Sequence, residues 1–148
     1  MIEKTTNHNE APEDVENIFA FQKQLIEQYE DLSAIDTEKV FAWCLKKVKN
    51  TSQNYRKIIK DGKTVGYYAL SKQESGEWEL DDFYLFASAR KQGIGTQVLQ
   101  KIMTDTHPDP IFLYVFRKNT GAVRLYQRMG FEVSKTMDTR MILTLNRR

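Results

Sequence analysis

The sequence holds a single cysteine, Cys44. Neither a disulfide framework nor a cysteine-built zinc site can therefore form within one chain. Its two histidines, His8 and His107, have no partners at metal-ligand spacing, so no metal is expected. His107 stands in "THPDP", where a loop role suffices. Long apolar runs are missing as well, and none approaches the ~20 residues needed to cross a bilayer. Residues 1–30 carry seven acids and two lysines without an apolar stretch, unlike a signal peptide. A cytoplasmic location is the resulting expectation. The net charge of +2 is too small to argue for a nucleic acid or a membrane surface as partner. No repeat, linker or low-complexity segment interrupts the chain. One domain, residues 1–148, is expected. A chain of this length buries roughly 68–70% of its unfolded surface, enough for a core.

What is present begins with an uneven spread of charge. Against the acidic first thirty residues, residues 111–148 carry eight Lys or Arg and two acids. Such a split reads either as solvated faces or as an acidic mouth for a cationic substrate with a basic end for an anion. The apolar periodicity supplies the elements. A short strand is expected over residues 2–6. In "APEDVENIFAFQKQLIEQY", Val15, Ile18, Phe19, Leu25, Ile26 and Tyr29 share a helical face. In "DTEKVFAWCLKKVKN", Asp36 is the N-cap, and Val40, Phe41, Cys44, Leu45 and Val48 form the buried stripe. Cys44 reads as core on that basis. Phe19, Phe21, Tyr29 and Trp43 read mainly as core, with one or two free to line a pocket.

A β region follows. Asp61-Gly62 between two strand-like runs signals a hairpin. "ESGEW" marks a second turn and "EWELDDFYLF" a third strand, which completes an antiparallel meander. Strict alternation puts Glu79 and Asp81 on the face of Phe83 and Leu85, with Asp82 opposite. A helix runs from Ile94 to the stop at Pro108 and Pro110. "IFLYVF", residues 111–116, is apolar throughout, as a fully covered central strand should be. Asn119 caps a further helix that Gly130 ends, and two strands follow near residues 131–135 and 139–145. The order β-α-α-β-β-β-α-β-α-β-β, with hairpins and crossover helices both present, predicts an α/β (α+β) fold with a mixed central sheet and helices on both faces.

Between the third meander strand and its helix stands "ARKQGIGT". A helix N-terminus offers unpaired N–H groups and about half a positive charge, and phosphates bind there readily. Gly93 and Gly95 allow close approach, and Arg90 and Lys91 add cations. The dinucleotide fingerprint fails, because Val98 stands where a third glycine belongs. A Walker loop is absent. The string from Arg90 to Thr96 instead resembles the [QR]-x-x-G-x-[GA] signature of the GNAT superfamily of N-acetyltransferases. "NTGAVRLYQRMGF" is similar to the N-x-x-A-x-x-x-Y-x-x-x-G-F helix of that family, at Asn119, Ala122, Tyr126, Gly130 and Phe131. Together the motifs cover residues 79–131. One departure is "FASA" in place of V-x-P-x ahead of the signature.

The resemblance implies a GNAT-like fold and an enzyme that moves an acetyl group from acetyl-CoA, its co-substrate, directly to a primary amine. Taken with the acidic N-terminal region, it points to a small cationic molecule as acceptor. It places the CoA diphosphate on the amides of Arg90, Lys91, Gln92, Gly93, Ile94, Gly95 and Thr96. The pantetheine arm falls along Leu85 and Phe86, where strands 78–86 and 111–116 splay, with an N–H near Leu85 polarising the thioester. Asn119, Ala122 and Tyr126 complete the cofactor contacts. Tyr126 would protonate the departing thiolate, and Glu79, then Asp81, would be the base, with Asp82 kept open as a third carboxylate. Arg124 and Arg128 reach phosphates or simply face solvent. Two other readings stand beside this one: an acyl-CoA-binding sensor without turnover, and a peptide or protein N-acetyltransferase. A homodimer is left open.

Overall fold

The computed structural model describes residues 2–4 and 12–147. Its elements are β1 (Ile2–Lys4), α1 (Pro12–Tyr29), α2 (Thr37–Asn50), β2 (Tyr55–Lys60), β3 (Lys63–Lys72), β4 (Trp78–Leu85), α3 (Ile94–Thr106), β5 (Ile111–Phe116), α4 (Thr120–Arg128), β6 (Glu132–Thr136) and β7 (Arg140–Leu145). This is the expected order. Residues 5 and 6 of the expected first strand, and His8, lie outside the described residues. Local signals act as their chemistry dictates. The Asp36 carboxylate accepts from the Lys39 amide at 3.2 Å and starts α2. Asp61 and Gly62 both take positive φ, 52° and 77°, as a tight hairpin between β2 and β3 requires.

The strands form one sheet in the order β1-β2-β3-β4-β5-β7-β6. Among the described residues only β4 and β5 pair in parallel, and their ladder holds Trp78 to Ile111 and Glu79 to Phe112, then stops. From Leu80 and Leu113 onward the two strands diverge. One face of the sheet packs on α3 and α4 through Leu80, Leu99, Ile102, Ile111, Leu113 and Leu143. Full burial of such side chains contributes roughly 1.5–3 kcal/mol each. The other face meets α1 and α2 through a smaller cluster that includes Val15, Ile18, Val48, Tyr55 and Tyr67.

Three expectations change. The buried stripe of α1 runs through Val15, Ile18, Phe21 and Gln22, and Phe19 is only half-buried. Stacking of Phe21 on Tyr84, with ring centroids 4.0 Å apart, turns the helix toward β4. Trp43 is not core: it is 61% exposed. The strand β5 is covered on one face only. Ile111, Leu113 and Val115 are buried, whereas Tyr114 on the opposite face is 46% exposed, because α1 and α2 stand off there and leave a cavity.

Candidate active site

Divergence of β4 from β5 opens the sheet, and two cavities lie along the opening. One of about 610 Å³ lies between α1, α2, β4 and β5. The other, of about 570 Å³, runs from β4 past the start of α3 to α4. Phe21, Leu25, Phe83, Asn119, Ala122 and Tyr126 border both, so the cavities meet at the α4 side of the cleft.

The groove toward α3 brings open backbone amides and cations together. Gly93 caps α3 with φ of 78°, a left-handed backbone that glycine adopts without strain. Around it a Cβ would meet nothing within 4 Å, so the turn is open. The first amides of α3 have no carbonyl of their own helix to bond. Leu85, Arg90, Lys91, Gly93, Gly95 and Thr96 border this groove, as do Asn119, Ala122 and Tyr126. Arg90 is fixed rather than mobile: its Nε donates to the Leu85 carbonyl at 2.9 Å and its guanidinium lies over the Tyr84 ring.

Three of the expected groove residues turn away from it. Phe86 directs its amide to the Val65 carbonyl of β3 at 2.8 Å, and its ring packs toward Tyr67. Of the expected pair, Leu85 alone therefore presents its main chain to the cleft, since alternate residues face opposite edges of a strand. Gln92 donates to the Ser88 carbonyl and accepts from Lys60. Ile94 is buried in the core with its side chain inward. Of Arg124 and Arg128, only Arg128 reaches the groove wall.

The cavity toward α1 and α2 carries the carboxylates. Glu79, Asp81, Asp82 and Glu30 border it, against Lys47 and Arg140. Their disposition corrects the alternation expected for β4. Asp82 has φ of 49°, and the β3–β4 register slips between Tyr67 and Ala69. This is a β-bulge, and one extra residue reverses the faces beyond it. Asp82 therefore joins Glu79 and Asp81 on the α1/α2 side with Tyr84. Phe83 and Leu85 pack on the opposite side with the main core.

The three acids differ in what holds them. Asp81 is committed: Oδ1 accepts the Asp82 amide at 2.8 Å, and Oδ2 pairs with Lys47 Nζ at 3.2 Å. Glu79 sits where β4 and β5 are still paired, at the closed end of the cleft. Burial first, then the Asp81 charge, raises its pKa. Asp82 lies past the point of divergence. Its Oδ2 accepts from the Tyr55 hydroxyl and from Gln22 Nε2 at 2.7 Å. Burial, then the Asp81 charge, pushes its carboxyl up to about 7 against the pull of those two donors and Lys47. For Lys47, burial alone would lower the pKa, but Asp81, Asp82 and Glu79 outweigh it and raise it.

Tyr126 projects from α4, which Asn119 caps by accepting the Ala122 amide at 3.4 Å. It is 8% exposed and meets Phe131 edge to face. Its hydroxyl has no hydrogen-bond partner among the described residues. Burial, then Asp81, raises its pKa, so it stays protonated at neutral pH. Cys44 is buried as expected, and burial pushes its thiol up. No cluster of three or more potential metal ligands occurs among the described residues, nor a helix long and apolar enough to cross a membrane.

Sequence reasoning missed Gln22, Tyr55 and Lys47 as parts of the site. Tyr55 and Gln22 read as ordinary strand and helix residues. A signal for the bulge existed: two consecutive aspartates inside a strand, where Asp is disfavoured but tolerates positive φ.

Comparison with known proteins bears on the family and the fold. Residues 13–131 match the family described as Acetyltransferase (GNAT) family. The spermine/spermidine N(1)-acetyltransferase of Bacillus subtilis (strain 168) is 29% identical over 121 residues, 72% of this chain and 76% of that protein. Among solved structures, the PaiA N-acetyltransferase from Thermoplasma acidophilum in complex with coenzyme A superposes with a TM-score of 0.70 at 21% identity, covering 99% of this chain and 98% of that one. An N-acetyltransferase from Staphylococcus aureus Mu50 gives 0.71 at 17% identity, with 98% of each chain covered.

Proposed function

The chain belongs to the acetyltransferase (GNAT) family, and we propose that it transfers the acetyl group of acetyl-CoA directly to the primary amine of a small cationic molecule. The observation that carries this reading is the meeting of two unlike cavities at Tyr126: a groove with helix amides and cations, and a cavity with carboxylates and aromatic walls. The groove suits a diphosphate. In the other cavity, Glu30, Glu79, Asp81 and Asp82 outnumber Lys47 and Arg140, and the aromatic walls already hold cations against their rings, Lys47 over Trp43 and Arg140 over Tyr114 and Phe116. The name of the Bacillus subtilis relative points to the same substrate class.

The residues divide the proton work. An acceptor with a pKa near 10.4 arrives charged and must lose a proton before its nitrogen can attack. Asp82, poised near neutrality at the bulge, is our base; this replaces the sequence-based order of Glu79 first and Asp81 second. Asp81 fixes the bulge and pairs Lys47. The Leu85 N–H, on the free edge of β4, polarises the carbonyl oxygen where negative charge builds. As the new C–N bond forms and the C–S bond breaks, the Tyr126 hydroxyl gives its proton to the sulfur.

Purified protein with acetyl-CoA and a panel of polyamines, aminoglycosides, amino acids and peptides tests this. Release of free CoA thiol with a small polycation, and not with peptides, is the expected result. Thermal stabilisation by acetyl-CoA without thiol release from any amine would establish the sensor reading instead.

A further inference from the structure

One corner of the carboxylate cavity holds two opposite charges that do not pair with each other. Arg140 opens β7 directly across from Phe116 of β5, so the two side chains share the α1/α2 face of the sheet. Its guanidinium lies over the Tyr114 and Phe116 rings, 5.8 and 6.0 Å from their centroids, and all three residues border the cavity. It makes no ion pair or hydrogen bond among the described residues. Arg117, by contrast, spends its guanidinium on the Met137 and Asp138 carbonyls. Glu30, just past the end of α1, is tied to the same corner. Its Oε1 accepts from the hydroxyl of Thr139, the residue before Arg140, at 2.8 Å. Glu30 also makes no ion pair among the described residues. Lys47, the other cation of this cavity, is already paired with Asp81. Asp82 stands on β4, two strands from β7 in the sheet. Strands so placed are about 10 Å apart, before the divergence of β4 from β5 is added. Phe21, Leu25, Ile26 and Val40 supply apolar wall.

We infer that the acceptor is a diamino acid, bound with its carboxylate on Arg140, the ammonium beside that carboxylate on Glu30, and its far primary amine at Asp82. The inference rests on the reading of this cavity as the acceptor site. Such a molecule carries two ammonium groups against one carboxylate, so it remains a small cation. A guanidinium presents a planar fork that fits a carboxylate through two N–H groups, and the rings beneath Arg140 hold that fork flat against the wall. An unspent cation beside an unspent anion matches the two charges at the head of an amino acid. A plain diamine offers Arg140 an ammonium instead, which the like charge disfavours. The distance between the ends requires an extended ligand, and the apolar wall suits the methylene chain that joins its two heads. Acetylation then falls on the far nitrogen. That nitrogen gives one proton to Asp82, its bond to the acetyl carbon forms as the C–S bond breaks, and the sulfur leaves as thiol with the Tyr126 proton. The product is a side-chain amide with its head group unaltered.

Three ligands and two variants test this. L-Lysine, 1,5-diaminopentane and 6-aminohexanoate share a far primary amine; the second lacks the carboxylate and the third lacks the ammonium beside it. Thiol release from acetyl-CoA and NMR titration are followed for each with the wild type, Arg140→Gln and Glu30→Gln. The wild type should favour lysine over diaminopentane in kcat/KM. Arg140→Gln should lower kcat/KM for lysine roughly ten- to a hundredfold, through KM, as loss of hydrogen bonds between charged groups does. It should lower 6-aminohexanoate likewise and raise diaminopentane, from which a repulsion has been removed. Glu30→Gln should weaken lysine more than 6-aminohexanoate. Mass spectrometry of the lysine product should place the acetyl group on the side-chain nitrogen. Diaminopentane used as well as lysine by the wild type, an Arg140→Gln protein that loses both alike, or acetyl on the α-nitrogen overturns the inference; in the first two cases the proposed transfer still stands. If no amine is acetylated but lysine binds the wild type and not Arg140→Gln, the transfer fails and the head-group site stands. Absence of lysine binding and of lysine turnover together also overturns it.

Discussion

Replacing Asp82→Asn should abolish most activity and yet stabilise the folded protein at alkaline pH. The substitution keeps an oxygen for Tyr55 and Gln22 but removes the charge. Burial, then the Asp81 charge, pushes the folded carboxyl up to about 7 from an ordinary 3.8. The group therefore binds its proton more tightly in the folded state. Its contribution is fully present below about pH 4, is lost as pH rises through 7, and is level above that. At 1.36 kcal/mol for each pH unit of difference, the most the fold can lose is ~4 kcal/mol. Water reaching the open cavity lowers that, and a gap of about 1–3 kcal/mol between variant and wild type is expected at pH 8.5. For a chain of this length each kcal/mol moves Tm by about 2–4 °C. Urea or thermal unfolding of both proteins from pH 4 to pH 8.5 reads the difference directly. The two stabilities should coincide near pH 4 and separate through neutrality. In parallel, wild-type kcat/KM should fall on an acidic limb with a midpoint near 7, as a base that must be deprotonated requires. Stability curves that stay parallel across this range, or a variant less stable than the wild type at pH 8.5, would refute the assignment of a costly buried charge to Asp82.

Other substitutions separate binding, chemistry and folding. Tyr126→Phe should lower kcat by roughly 10²-fold or more, while calorimetry finds CoA affinity unchanged, because only the transferable proton is lost. Gly95→Ala should leave Tm unchanged or slightly raised, since the new Cβ would meet Leu125 and Leu85 at ordinary distances of 3.5 and 3.7 Å. Its CoA affinity should nonetheless drop, because the methyl stands among the first amides of α3. Gly93→Ala should cost about 1–2 kcal/mol of stability in urea titrations, the cost of a left-handed backbone for a residue with a Cβ. Gly66→Ala should be far worse and reduce soluble yield as well as Tm: its Cβ would fall 2.0 Å from the Tyr84 carbonyl oxygen, an overlap that only movement of β4 can relieve.

Most of the architecture was legible because it rests on local chemistry. Asp36, Asp61-Gly62, Asn119 and Gly130 each act through their own backbone or a residue three positions away, and such signals survive into any fold. The groove was legible for the same reason, since Gly93 and the start of α3 are adjacent in sequence. The carboxylate cavity was not. Alternation assumes an unbroken period of two, and the bulge at Asp82 inserts an extra residue, so the faces of Phe83 and Leu85 came out reversed. Gln22 and Tyr55 reach Asp82 across 60 and 27 residues of chain, and no periodicity encodes a contact of that kind. The coverage of β5 failed likewise: an all-apolar strand reads as buried on both faces, whether the second face meets a helix or a cavity.

The bulge joins the two halves of the site. In a regular β4, Asp82 would point among Leu80, Leu113 and the α3 core, a place no carboxylate could occupy, and Phe83 would fill the carboxylate cavity. A left-handed residue at position 82 removes both conflicts at once. It carries the carboxylate to the α1/α2 side, returns Phe83 and Leu85 to the core, and leaves the Leu85 main chain on the edge that faces the groove. The Asp81 carboxylate stabilises that turn by accepting the Asp82 amide, and Lys47 holds Asp81 in place from α2. Strain of this kind costs of order 1–3 kcal/mol and persists where surrounding contacts over-determine it. Here those contacts come from α1, α2 and β2, so the helices that wall the carboxylate cavity are also what keep the strand bent, and neither that cavity nor the groove beside α3 could be built without the other.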